Sequence, residues 1–419
     1  MKFRKMSVFG LVSAIAGFVK VRFLVDKEVT DNTVFRFHYR LTSAMFFMSC
    51  ILVTANSLIV ITSTGEPISC LVTDDKLSKP INTYCWIMST FTLPHQLHKK
   101  EGSEVLHPGV GDYVEGVHEK RYHAYYQWVP LMLFFQGVLF YVPHWIWKNC
   151  EQGKIKMISD GIRGSASWNE SDRCVRKHKL VQYLVDSLHM HNVYAAIYFF
   201  CEALNFANAA VGDEPPKLPP DYGLGKVGNI YLIDKFLGGA FLTYGTDVVK
   251  FNGMDQMNRT DPMIIVFPRM TKCNFYMSGP SGTLINKDAL CVMAMNILNE
   301  KIYILLWFWL IMLALVSGLG LLYSLAITIF PSFRKSVLRR RFHFKPKGGI
   351  AALVDNMQVG DFLLIHLLGQ NISSFTFKEI LDELTQSLNN YRKIPTRTSS
   401  RNFMEMAPMY PVLPKDADI

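Results

Sequence analysis

Hydrophobic positions gather into four long runs separated by polar intervals. The runs occupy residues 38–61, 124–147, 191–211 and 302–330. A hydrocarbon core of roughly 30 Å takes about 20 helical residues, and each run reaches that length. In the second, no Asp, Glu, Lys or Arg falls between Ala124 and Trp147. Tyr125, Tyr126 and Trp128 mark one end, Trp145 and Trp147 the other, as amphipathic rings do at headgroup level. Pro130 lies in the first turn, where a missing N–H costs little, and Pro143 predicts a kink near the far end. The fourth run, Ile302–Phe330, carries no charge and exceeds the core thickness, so it tilts or projects. The pattern predicts an all-α polytopic membrane protein, a four-transmembrane-helix subunit.

Polar positions inside the runs carry the candidate chemistry. In the first run Ser43, Ser49, Thr54, Asn56 and Ser57 interrupt apolar sequence. Such residues either let helices pack closely or line water, and we take the pore-lining reading here. In the third run Glu202, Asn205 and Asn208 fall on successive turns. An ionisable group at that depth faces protein or water rather than lipid, and we read this one as a buried, hydrogen-bonded packing site. Upstream of the first run, Val8, Leu11, Val12, Ile15, Phe18 and Val19 recur at helical spacing, with Ser7, Ser13 and Lys20 off that stripe. This segment is too short and too charged at its flanks to span. It lies in the interface or folds back into a pore.

Charge orients the runs. The chain of 419 residues is 50% hydrophobic and carries a formal net charge of +10. The excess sits in residues 148–190 and in the cluster Arg334, Lys335, Arg339, Arg340, Arg341, Lys345 and Lys347. The positive-inside rule places both on the cytoplasmic face, with both termini, and the second cluster would attract anionic headgroups rather than nucleic acid. The expected order is therefore a cytoplasmic segment 1–37, the first span 38–61, an outer loop 62–123 and the second span 124–147. A cytoplasmic loop 148–190, the third span 191–211 and a second outer loop 212–301 follow. The fourth span 302–330, a helical cytoplasmic domain 331–393 and a disordered tail 394–419 complete the chain. The second loop opens on 212–228, where Pro215, Pro216, Pro219 and Pro220 break any helix. Apolar character resumes at Asn229–Leu242 and is expected to pack beside the other outer-loop elements.

The cysteines sort by this order. Cys70 and Cys85 fall in the first outer loop, Cys273 and Cys291 in the second, where oxidising conditions favour two disulfides. Four cysteines leave three connectivities open. Asn258-Arg259-Thr260 is the acceptor triplet on the outer side. The histidines of the first loop, His95, His98, His107, His118 and His123, lack ligand-like spacing and read as solvent-exposed. There is no nucleophile elbow, phosphate-cradling glycine loop or Cys-x-x-Cys pair, so we expect neither an enzyme nor a cofactor or metal.

Several segments narrow the class. YYQWVPLMLFFQGVLFYVPHWIWK at Tyr125–Lys148, FFCEALNF at Phe199–Phe206 and FLGGAFLTYGTDVVKF at Phe236–Phe251 closely resemble the innexin family. So do NTYCWIMSTFTLP at Asn82–Pro94, LNEKIYILLWFWLI at Leu298–Ile311 and VGDFLLIHLLGQNI at Val359–Ile372. Within that family the chain is most similar to the insect branch and its third subtype. The resemblance implies a gap-junction channel subunit at the plasma membrane. Such subunits assemble with copies of themselves or other family members into rings, thought to be octameric, that dock between cells and pass ions and small solutes. It also implies Cys70–Cys291 and Cys85–Cys273 pairs, and a pore lined by the N-terminal segment and first span, that is by Ser7, Ser13, Lys20, Ser43, Ser49, Thr54 and Asn56. Relative to the family pattern, Met1–Lys5 extends the start, and Val60–Thr64 and 212–228 are insertions. An undocked hemichannel and a non-conducting adhesive protein are the rival readings.

Overall fold

A computed structural model describes residues 28–63, 68–72, 75–114, 116–159, 162, 170–210, 228–253, 261–342 and 353–393. Four long helices pack side by side. The first, α1 (33–63), joins Thr33–Arg36 to Ser43–Ser63 through a π-helical stretch, Phe37–Thr42. In that stretch Thr42 Oγ1 donates to Phe37 O at 2.9 Å and accepts from Trp309 Nε1 at 2.8 Å. The second long helix is Val129–Glu151, the third Asn192–Ala209 and the fourth Ala294–Ile329. α1 packs on the second and fourth helices, and the third packs on the same two. Two of the four, Val129–Glu151 and Ala294–Ile329, are long and apolar enough by composition to cross a membrane. The fourth begins at Ala294, inside what we expected to be outer loop, because Asn296, Asn299 and Glu300 are buried against the outer domain rather than solvated.

Short elements fill the end of the bundle that holds the paired cysteines. In chain order they are β1 (Ser69–Leu71), helix α2 (Asp75–Met88), β2 (Thr90–Thr92) and β3 (Arg121–His123). The second, third and fourth long helices are α3, α6 and α10; the helices Lys154–Ser159 and Glu170–Asp186 between α3 and α6 are α4 and α5. After α6 come α7 (Asn229–Phe236), α8 (Phe241–Asn252) and α9 (Pro262–Val266), then β4 (Met270–Ser278) and β5 (Leu284–Val292). The strands form one antiparallel sheet in the order β1-β5-β4-β2-β3. This corrects the all-α expectation. Polar loops at the end of a helical bundle still have backbone groups to satisfy, and here strands from both loops satisfy one another.

The resumed segment 229–242 is helical and also reaches the bundle. α7 and the start of α8 bury Ile230, Ile233, Leu237, Phe241 and Tyr244 among Phe46, Leu133, Phe140, Tyr303 and Leu306 of the long helices. The same cluster takes in Val266, Phe267 and Met295, and Tyr244 meets the Phe267 ring at 5.8 Å, so the segment packs on the bundle and on neighbouring loop elements at once. The chain returns to where it left: Asn229 Nδ2 donates to Asn208 O at 3.4 Å, and a Cβ on Gly228 would lie 2.2 Å from Ala210 O. Residues 211–227 lie outside the described residues, but their two ends meet. Extra loop length between fixed ends costs only about 0.6 kcal/mol per doubling. Deleting Asp213–Val227 is therefore expected to leave surface delivery and coupling within about twofold of the parent; a large rescue of either, by surface biotinylation and dye transfer, would show that the segment disturbs the fold.

At the opposite end α11 (Pro331–Phe342) follows α10, and α12 (Val359–Asn371) and α13 (Ser374–Lys393) are the last helices among the described residues. One core of Leu180, Val181, Leu184, Leu364, Leu367, Leu368, Ile380 and Leu384 joins α5, α12 and α13, and it runs on into Trp147, Tyr194 and Tyr198 of the bundle.

Candidate functional site

The outer sheet is where the cysteines meet. The β1–β5 register sets Cys70 directly opposite Cys291, and the two are joined. Cys85, near the end of α2, is joined to Cys273 on β4. Both bridges link the first outer segment to the second, and all four sulfurs are buried with Ile68, Ile81, Tyr126 and Met293. Polar anchors surround them. Cys70 N donates to the buried Asn82 Oδ1 at 2.7 Å, and Tyr126 OH donates to Cys85 O at 3.3 Å. Lys272 Nζ, on β4, reaches Asp288 at 2.9 Å and donates to Gly111 O at 3.0 Å, tying the loop after β2 to the hairpin. Beyond this knot the β4–β5 hairpin continues as a two-stranded ribbon with Tyr276, Leu284 and Ile285 exposed.

The first-loop histidines are not all solvated. His107 and His123 are buried, because His107 Nδ1 bonds Pro108 O at 3.1 Å and His123 Nε2 bonds Thr92 Oγ1 at 2.8 Å across the β2–β3 pair. Burial, aided by the charge of Arg121, pulls the His123 pKa down to about 4. The unfolded chain takes up that proton near pH 6.5, the folded chain only near pH 4, so stability is full above pH 6.5 and falls as pH drops through that window. We expect the β2–β3 region to lose about 2 kcal/mol by pH 5. Hydrogen exchange of residues 90–92 and 121–123, corrected for intrinsic rate, should rise in acid, and His123→Gln should flatten the rise. A pH-independent parent would contradict this.

Within the bundle, Glu202 is buried between elements. Its Oε1 accepts from Asn32 Nδ2 and its Oε2 from Ser324 Oγ at 2.5 Å. Asn208 Nδ2 donates to Leu139 O at 3.0 Å, the carbonyl that Pro143, four residues on, cannot engage. His38 Nε2 meets Ser317 Oγ at 2.6 Å; that hydroxyl donates to Leu313 O, so the imidazole N–H is the donor. These groups are internal glue, as read for Glu202.

The pore-wall candidates divide. Ser43 is buried and its hydroxyl donates to Gly137 O at 2.7 Å, where α1 and α3 approach closely enough that a Cβ on Gly137 would meet the Phe47 ring at 2.9 Å. Ser49 is also buried. Both face the interior of the subunit and so cannot line a pore: the small-residue signal here is helix packing. Thr54 is exposed, with its hydroxyl turned back to Cys50 O at 2.8 Å. The side chain of Asn56, together with Ser7, Ser13, Lys20 and Asn258, lies outside the described residues.

The inner basic cluster divides too. Arg334 is buried, with Nη1 donating to Met357 O at 3.4 Å, and Lys335 pairs with Asp355 at 2.7 Å. Arg334 is closed off, whereas Lys335 stays part-exposed beside its acid. Sequence showed no acid within the run because Asp355 arrives from the next element. Arg339 and Arg340 remain exposed; Lys345 and Lys347 lie outside the described residues.

Sequence reasoning missed the junction between α12 and α6. Asp361 accepts from His191 Nδ1 at 3.1 Å and from the His189 backbone N–H at 3.0 Å, and from Gln358 N at 3.3 Å. Burial alone would raise its pKa, but these donors outweigh burial and hold it below the usual carboxylate value. A Cβ on the neighbouring Gly360 would lie 2.2 Å from both C and O of His191. A glycine beside a buried-acid position, opening an otherwise apolar helix, was the available signal.

The innexin family model matches residues 31–212 and 222–388. The gap between the two matches falls inside the proline-rich insertion. Innexin inx3 of Drosophila melanogaster is 49% identical over 407 residues, covering 97% of this chain and 97% of that protein. Innexin inx2 of Schistocerca americana is 42% identical, covering 91% and 98%. Innexin shaking-B of Drosophila melanogaster is 37% identical, covering 88% and 94%.

Proposed function

The chain belongs to the innexin family and is a gap-junction channel subunit, and we propose that it does this work as a four-span protein whose two outer loops form one docking platform. The observation that carries the proposal is the cross-loop sheet: both bridges join residues of the first loop to residues of the second. Two loops locked into one body present a fixed surface, which lowers the ordering cost of binding another ring. The exposed β4–β5 ribbon is the part of that body open to a partner.

In this reading α1, α3, α6 and α10 each cross the bilayer, with both termini cytoplasmic. Support comes from contacts at the inner end, where Val29 and Asn371 bond each other, which puts the start of α1 beside the C-terminal domain. α6 falls short of the apolarity of α3 and α10 because Glu202, Asn205 and Asn208 lie on it, and all three face protein. Subunits assemble as rings, octameric in our reading, from this chain alone or with other innexins. The N-terminal segment and the exposed face of α1 at Thr54 line the lumen, and Arg339 and Arg340 meet anionic headgroups. Protease added to intact cells should spare epitopes at 150–180, and a glycosidase-sensitive mobility shift lost in Asn258→Gln would mark 212–301 as outside. Cleavage at 150–180 without permeabilisation would overturn the topology.

Dye transfer between paired expressing cells tests the function. Transfer supports the junctional channel. Uptake confined to unpaired cells supports an undocked hemichannel, and adhesion with neither supports a structural protein.

A further inference from the structure

Where the start of α1 meets α6 and α10, packing leaves a small cavity. Phe35 and His38 of α1, Glu202 and Asn205 of α6, and Ser317 and Gly320 of α10 line it. The four polar side chains among them are all buried, Asn205 to 4% exposure and His38 completely. The space left for the centre of a water-sized sphere is about 10 Å³, which is room for one molecule.

Most polar atoms around this space are engaged. Glu202 accepts from Asn32 Nδ2 and Ser324 Oγ, and Ser317 Oγ accepts from His38 Nε2 while donating to Leu313 O. Three are not. Among the described residues, His38 Nδ1 and both Oδ1 and Nδ2 of Asn205 have no hydrogen-bond partner. A buried polar group left in that condition carries its full desolvation cost, and cavities that stay dry are lined by apolar groups. With its N–H on Nε2, the neutral His38 ring offers a lone pair at Nδ1. The three atoms therefore require two donors and one acceptor, which a single water molecule supplies.

We propose that this cavity is a binding site for one structural water. It donates to His38 Nδ1 and to Asn205 Oδ1, and it accepts from Asn205 Nδ2. The carboxamide engages it twice, because its syn N–H and its C=O face the same side. A bare monovalent cation does not fit this set. It leaves Asn205 Nδ2 with nothing to donate to, and the Glu202 carboxylate that would attract it already holds two donors. The water completes a triangle of polar contacts. His38 joins α1 to α10 through Ser317, and Glu202 joins α6 to α10 through Ser324. The water joins α6 to α1 at His38, within the π-helical stretch.

The test uses the full chain in lipid nanodiscs. Brief X-ray irradiation makes hydroxyl radicals from water, bound or bulk, and these label the nearest side chains. Phe35 is 1% exposed, so bulk radicals do not reach its ring. We expect Phe35 to be labelled nonetheless, and electron cryomicroscopy at a resolution that shows ordered water to place density within hydrogen-bond distance of His38 Nδ1 and Asn205. Asn205→Leu removes the carboxamide. Gly320→Ala takes up space without touching a polar group, since its Cβ would stand 3.5 Å from Val34, in ordinary contact. Each should lower Phe35 labelling about fivefold, with labelling of the exposed Tyr276 unchanged. Labelling and density in the parent are read without either variant, so a variant that fails to fold leaves the test standing. Phe35 at background in the parent, no density between His38 and Asn205, or labelling unaltered in both folded variants would each overturn the proposal. A thermal midpoint raised by sodium but not by potassium or choline at equal ionic strength would assign the cavity to a cation, and would overturn it too.

Discussion

Cells expressing the Cys85→Ser variant should show no intercellular coupling, although the chain still inserts and reaches the surface. Cys85 is fully buried and joins α2 to β4 across a sequence separation of 188 residues. Removing a native bridge from a small disulfide-bonded body costs about 2–5 kcal/mol. The body it stabilises has little else: β1, β2 and β3 are three residues each, short enough to be marginal alone. Its apolar core is small and consists largely of the four sulfurs and the side chains around them. Without the bridge the two loops no longer present one surface, and docking must then order them at its own expense. The bundle has its own core, centred on Phe46, Phe140, Tyr303 and Leu310, so insertion should survive. Dye transfer should be undetectable, with surface biotinylation within about twofold of the parent. Coupling at the parent level would show that the outer platform does not need the bridge.

Gly360→Ala should detach the C-terminal helices from the bundle. The added methyl would stand 2.2 Å from backbone atoms of His191 and 2.6 Å from Asn192 N. No rotamer change relieves a backbone clash, so α12 must move away from α6. Overpacking of that kind costs roughly 1–3 kcal/mol. The movement also pulls Asp361 from the His189 and His191 donors, leaving a buried acid short of partners at a further cost of about 1–3 kcal/mol. Limited proteolysis of 353–393 from the cytoplasmic side should quicken at least tenfold. A digestion pattern matching the parent would mean the two helices are not packed as described.

The two longest apolar helices were legible because length and composition suffice to mark them. Val129–Glu151 follows from an uncharged run with aromatic ends, and Ala294–Ile329 from Ile302 onward. Glu202 was legible for a related reason, since a charge in an apolar run demands partners, and Ser324 and Asn32 supply them. What escaped was non-local. β1 to β3 are too short for a period-two pattern, and their partners lie up to 221 residues away, the span of the Cys70–Cys291 pair. Ser43 carries the same residue type whether it faces a lumen or a neighbouring helix, and only the approach of Gly137 decides it. Arg334 reads as a free cation until Met357 and Asp355 are folded beside it. The contacts of 229–242 with the bundle were not legible, because its partners Phe46, Leu133 and Phe140 lie far away along the chain.

In the proposed function, two rings of this subunit meet through their outer platforms to make one cell-to-cell channel. Junctional conductance in paired cells, with expression in both cells or in only one, tests it most directly. The account predicts conductance when both cells express the chain, alone or together with another innexin, and none when only one does. Surface-delivered chain that gives no junctional conductance in either arrangement, or current only from single cells to the exterior, would contradict it.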